Sequence, residues 1–143
     1  NQILSSGTSL LAFTNACAAT SWFQVAWLYT AQSSNETLTL AAYNAPAWTW
    51  IDDISVIDTS NSHQLLINGD WENGTLMTGW QGTNVVTSNS CHGGTWCYYQ
   101  GASTVEYTWQ SFTTVPGTQL NMSFWIMWTG SGSAVYTNIT ITP

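Results

Sequence analysis

Lysine and arginine are absent from all 143 residues, and seven acidic groups leave a formal charge of −7 with the two histidines neutral. Recognition of phosphate rests on side-chain cations, so nucleic-acid binding and attachment to anionic membranes through basic side chains are excluded. Charged residues of every kind make up 5 % of the chain, against roughly 25 % in an ordinary soluble domain. Asn, Ser and Thr therefore carry the polar surface, which suits neutral, hydroxyl-rich surroundings outside the cell, such as a cell wall, slime or glycan coat. Long apolar runs are missing too, and nothing approaches the roughly 18 residues of a membrane-spanning helix. A secretion signal is not visible, and the chain opens on Asn1 rather than Met, as expected of a processed chain or a segment of a longer one.

What is present excludes disorder. Hydrophobic residues make up 44 %, including ten Trp, enough to bury a core of one domain. Helical periodicity is nearly absent, whereas short alternating runs rich in Val, Ile, Thr and aromatics recur between Gly, Asn, Ser and Pro. Strands are expected over 9–14, 22–31, 36–43, 50–57, 64–67, 84–88, 95–100, 105–114, 119–129 and 134–142. Alternation puts Phe23, Val25, Trp27 and Tyr29 inward on one, and Leu38, Leu40 and Ala42 inward on another. So many short strands in one domain predict an all-β, two-sheet antiparallel sandwich. A hydrophilic linker at 59–63 separates residues 1–58 from 64–143, and neither part has strands enough to close a sandwich alone.

Cys91 and Cys97 flank His-Gly-Gly-Thr-Trp, whose glycines let a short loop close, and a disulfide is expected there. The alternative, a zinc site, lacks a second ligand pair. Cys17 is left odd: a buried thiol, or a bridge to another chain or segment. Sequons occur at Asn35, Asn73, Asn121 and Asn138, making N-linked glycans the expected modification on a eukaryotic secretory route. Asn121 and Asn138 fall on strand faces opposite apolar neighbours, so both acceptors are expected to face solvent.

From residue 65 the chain reads Leu-Leu-Ile-Asn-Gly-Asp-Trp-Glu-Asn-Gly-Thr-Leu-Met-Thr-Gly-Trp, followed by Cys-His-Gly-Gly-Thr-Trp-Cys, Trp-Gln-Ser-Phe-Thr-Thr-Val-Pro-Gly-Thr and Met-Ser-Phe-Trp-Ile. This resembles the opening half of carbohydrate-binding-module-like, galactose-binding-like jelly rolls, which begin Asn-Gly-x-Phe-Glu…Gly-Trp. Such domains end on a strand reading aromatic-Leu-Asp-Asp-Val-Ser-Val; here Trp-Ile-Asp-Asp-Ile-Ser-Val occupies 50–56, ahead of the opening. The resemblance thus covers nearly the whole chain in permuted order, 59–143 then 1–58. It implies either a circular permutant closed within one chain or an array in which 59–143 of one unit pairs with 1–58 of the next, as in extracellular tandem-repeat proteins.

The resemblance also implies a structural calcium, for which the matching positions are Asp70, Glu72, and Asp52 or Asp53, the alternative role being carboxylates that cap backbone N–H groups. No acid lies at 92–95 to complete that set. Trp109, Trp125, Met127 and Trp128 stand out as aromatic or apolar positions; alternation places Trp109, Trp125 and Met127 outward, available for packing between subunits, glycan shielding or stacking on sugar. The loop 43–46 departs from an Arg-Asn-Asp-Pro-like pattern of relatives, which argues against inherited ligand binding. No catalytic constellation is apparent: His63 and His92 accompany no nucleophile motif, and Asp52 and Asp53, adjacent in a strand, are expected on opposite faces. The expected function is structural and non-enzymatic: a glycosylated repeating unit of an extracellular fibril or sheath, assembled with itself head to tail through strand complementation and aromatic packing. The alternatives are a carbohydrate-binding module for a polysaccharide and a cell-surface adhesion domain.

Overall fold

The computed structural model describes residues 3–4, 9–14, 21–83, 85–129 and 136–143; Cys17 lies outside them. Among the described residues the strands are β1 (Ile3–Leu4), β2 (Ser9–Thr14), β3 (Phe23–Thr30), β4 (Asn35–Tyr43), β5 (Thr49–Asp58), β6 (His63–Gln64), β7 (Gln81–Gly82), β8 (Val86–Thr87), β9 (Cys97–Gln100), β10 (Glu106–Thr113), β11 (Gln119–Trp128) and β12 (Tyr136–Thr142), with one 3-10 turn at Gly74–Leu76. They form two sheets. The larger runs β1-β3-β11-β5-β9-β8, with β6 also paired to β5; the smaller runs β2-β12-β4-β10-β7. All pairs are antiparallel except β1 with β3. The chain is an all-β sandwich, as its alternation predicts.

Period-two alternation builds the core. Leu120, Met122, Phe124, Ile126 and Trp128 on β11 are buried, as are Leu38, Leu40 and Ala42 on β4. Tyr29 is buried, and Phe23, Val25 and Trp27 pack against the same cluster, so the inward set expected for β3 is the observed one. Each large apolar side chain removed from water contributes roughly 1.5–3 kcal/mol.

The two parts of the chain interleave. Strand β11 lies between β3 and β5, and β4 lies between β10 and β12, so each sheet interleaves segments from before and after the linker. Within the one chain, strands from both sides of the linker pair with each other in both sheets. The linker is a tight turn joining β5 to β6. Asp58 Oδ1 accepts from Ser60 N at 2.8 Å, the Asp58 carbonyl accepts from Ser62 N at 2.8 Å, and Thr59 N donates to the Gln119 carbonyl at 3.0 Å. Beyond it the Asn-Gly-Asp stretch lies against β5: Leu65 N donates to Val56 O and Ile54 N to Gly69 O, both at 2.9 Å. Gly69 permits that approach, since a Cβ there would stand 2.0 Å from the Ile54 carbonyl oxygen.

Candidate functional site

The most elaborated surface feature is the Cys91–Cys97 loop, whose sulfurs are bonded with Cα atoms 5.4 Å apart, as the spacing predicts. Three carboxylates hold it. Strand β5 carries one more residue than β11 between the pairs Ser55–Ser123 and Asp52–Trp125. The extra residue is Asp53, at φ 49°, a β-bulge that re-aims its neighbours. This corrects the opposite-face expectation for the Asp pair, because the bulge lets both reach the disulfide loop. Asp52 Oδ2 accepts from His92 N at 2.9 Å and Gly93 N at 3.0 Å, and its Oδ1 from Asp53 N at 2.8 Å. Asp53 Oδ2 lies 2.7 Å from His92 Nδ1. From the other side Glu72 Oε1 accepts from Thr95 N and Trp96 N, each at 2.8 Å. Successive N–H groups of one loop thus converge on two carboxylates, one from each part of the chain, a backbone anion nest.

Asp52 is fully buried, and burial pushes its carboxyl up to about 6 although the N–H donors of Gly93, Asp53 and His92 pull it down. A second buried acid, Glu36, closes the turn between β3 and β4. Its Oε1 accepts from Gln32 N and Ser33 N at 2.6 and 3.0 Å, and its Oε2 from the Tyr29 hydroxyl at 3.0 Å. Burial and then the bond to Glu36 raise the Tyr29 phenol above its ordinary value.

Each of the four acids implied for calcium has a polar partner within the chain. Asp52 and Glu72 are engaged by backbone N–H groups, Asp53 by His92, and Asp70 Oδ1 faces Glu72 N at 3.4 Å. Asp53 and Asp70 line one pocket, of about 320 Å³, with Ser55, Gln64 and Asn68. Among the described residues, the close trio of potential metal ligands is Asp52 with Cys91 and Cys97, whose sulfurs are consumed in the disulfide. Asp52 and Glu72 thus cap backbone donors, and Asp53 pairs with a side chain.

The aromatic candidates separate. Trp128 belongs to the inward set and is buried at 3 % exposure, its Nε1 donating to Thr137 Oγ1 at 3.1 Å. Met127, on the outer side and directly opposite Trp50, is also buried, at 7 %; neither is available as a platform. Trp125 is outward but covered, for the His92 ring stacks on it at 3.8 Å and 15°. Trp22 meets the edge of that imidazole at 5.7 Å, and its Nε1 donates to Ser90 O at 3.2 Å. Trp109 is half-buried over β7, where a Cβ on Gly82 would fall 2.5 Å from its ring. The indole that does face outward is Trp48, 39 % exposed, seated on Tyr99 at 4.6 Å and on Gly101. Its local signal was the aromatic-rich run Trp48-Thr49-Trp50 following the turn at Asn44-Ala45-Pro46.

Asn35, Asn73 and Asn121 are exposed, at a turn, beside the 3-10 turn and on the outer face of β11. Asn138 is only partly exposed, because β12 is flanked by both β2 and β4. Comparison of the chain with known protein families, with characterised proteins and with solved structures finds no match. Among the described residues no helix is long and apolar enough to cross a membrane.

Proposed function

We propose that the chain is a glycosylated, non-catalytic unit of an extracellular fibril or sheath, with a mechanical role. The observation that carries this reading is how the polar chemistry is spent. Asp52, Glu72, Glu36 and Asp58 cap backbone donors, which rigidifies turns rather than poising acids for proton transfer. Exposed sequon asparagines at three separate places give a neutral glycan coat to a surface without cations. A disulfide suits an oxidising compartment. Among the described residues β2 ends the smaller sheet, and since an edge strand is a template for pairing with another chain, cohesion between units falls to it. Native material imaged by negative stain should consist of filaments or sheets, and intact mass should fall on enzymatic deglycosylation. Monomeric particles of unchanged mass would reject the reading.

Trp48 favours a second reading, a carbohydrate-binding module. An indole fixed by Tyr99 and Gly101 and open on one side offers a pyranose a preorganised face. The chain would then be retarded in gels containing a neutral polysaccharide, and Trp48→Ala would migrate freely.

A further inference from the structure

At the end of β5 remote from the linker turn, the sandwich interior is polar. Thr49, Gln100, Thr108 and Gln110 are all buried. Thr108 donates its hydroxyl to the Thr83 carbonyl at 2.7 Å. Gln110 accepts from Ile67 N at 2.6 Å and donates to Ile67 O at 2.9 Å. Thr49 is different: its hydroxyl is buried with no hydrogen-bond partner, a state that ordinarily costs about 1–3 kcal/mol.

Directly opposite Thr49 in the ladder between β5 and β9 is Gln100. Such facing pairs bring their Cβ atoms to within roughly 5 Å. The Gln100 amide is gripped at both ends. Its Oε1 accepts from Ala102 N at 2.7 Å, and its Nε2 donates across the sandwich to Glu106 Oε2. A free hydroxyl, a donor on the carbonyl oxygen where negative charge would develop, and a carboxylate beside the nitrogen that would leave are the components of acyl transfer.

We propose that Thr49 and Gln100 condense into an ester that cross-links β5 to β9. Thr49 Oγ1 attacks Gln100 Cδ, forming the C–O bond; negative charge gathers on Oε1, facing Ala102 N–H. The hydroxyl proton passes to Nε2, which Glu106 Oε2 holds and whose gain of positive charge the carboxylate stabilises. The Cδ–Nε2 bond breaks, and the nitrogen departs as ammonia with its own two hydrogens and that proton. No oxidant or cofactor enters the balance. The half-buried Glu106 leaves an exit for ammonia, while the buried Thr49 and Gln100 keep water from reversing the bond. A chain with no lysine cannot form side-chain amide cross-links through a lysine amine, and an ester needs none. The inference stands apart from the fibril reading, because it concerns bonds within one sandwich.

The test is the intact mass of the full chain made in a host that adds no glycans. Beyond the hydrogens lost to the disulfide, the mass should fall short of the sequence by one ammonia. Chymotryptic digestion, chosen because trypsin has no sites, should yield one peptide pair joining β5 to β9, which hydroxylamine separates. Thr49→Ser should keep the deficit, whereas Thr49→Val and Glu106→Gln should each restore the full mass with an unchanged all-β circular dichroism spectrum. A folded wild-type chain with its full mass would overturn the proposal. So would a deficit that persists in Thr49→Val, since that assigns the ammonia to ring closure at Asn68-Gly69 or Asn73-Gly74.

Discussion

Asp52 illustrates what a chain without Lys or Arg does with a buried carboxyl. With no Lys or Arg to pair with, it is surrounded by N–H donors, and burial still prevails, raising its pKa from 3.8 to about 6. The protonated form is therefore the one the fold favours. The stability this shift contributes is complete below about pH 4 and is lost as the pH rises through 6. Thermal unfolding followed from pH 4 to 7 should show a decline worth at most about 3 kcal/mol, and Asp52→Asn should flatten it. An equal decline in the variant would place its origin elsewhere. Gly94 tests the opposite clamp. It sits at φ +54°, and a Cβ there would fall 2.3 Å from Glu72 Oε1. Gly94→Ala should expel the carboxylate from the N–H groups of Thr95 and Trp96 at a cost of about 1–3 kcal/mol in denaturant titration. Once Glu72 is changed to Ala, the same substitution should cost clearly less.

Among the elements, β2 falls where alternation puts it, and β3, β4, β5, β10 and β11 fall within a residue or so. A half-buried strand writes its inner face into every second residue. The short β1 and β7 carry no such signature, having two residues each. The bulge at Asp53 was equally illegible: an extra residue is defined by the partner strand, and no local pattern announces it. That one insertion turned an expected opposite-face pair into two clamps on the same loop. Sequence spacing did reveal the disulfide, because loop closure is local, but not that His92 would cover Trp125. Reducing Cys91–Cys97 should lower stability by about 2 kcal/mol for so short a loop, measured by chemical denaturation with and without a phosphine reductant. A reduced chain of equal stability would mean that the carboxylates alone hold the loop.

For the molecule as a whole, the reversed order of its signatures becomes intelligible in the hairpin of β5 and β6, which joins the motif expected last to the motif expected first. The sequence left open whether the parts meet within one chain or between two, since the same ladder serves both. In the structure the strands of one chain pair across the linker in both sheets. Ser55 of β5 and Ser123 of β11 stand face to face with hydroxyl oxygens 2.9 Å apart, one on each side of the linker. Combining Ser55→Cys with Ser123→Cys in a Cys17→Ser background and oxidising the native assembly measures the closure directly. Denaturing, non-reducing electrophoresis should give a single band at the mass of one chain, with the two introduced thiols bridged to each other. A ladder of covalent multimers would show that the strands of one chain complete its neighbour instead.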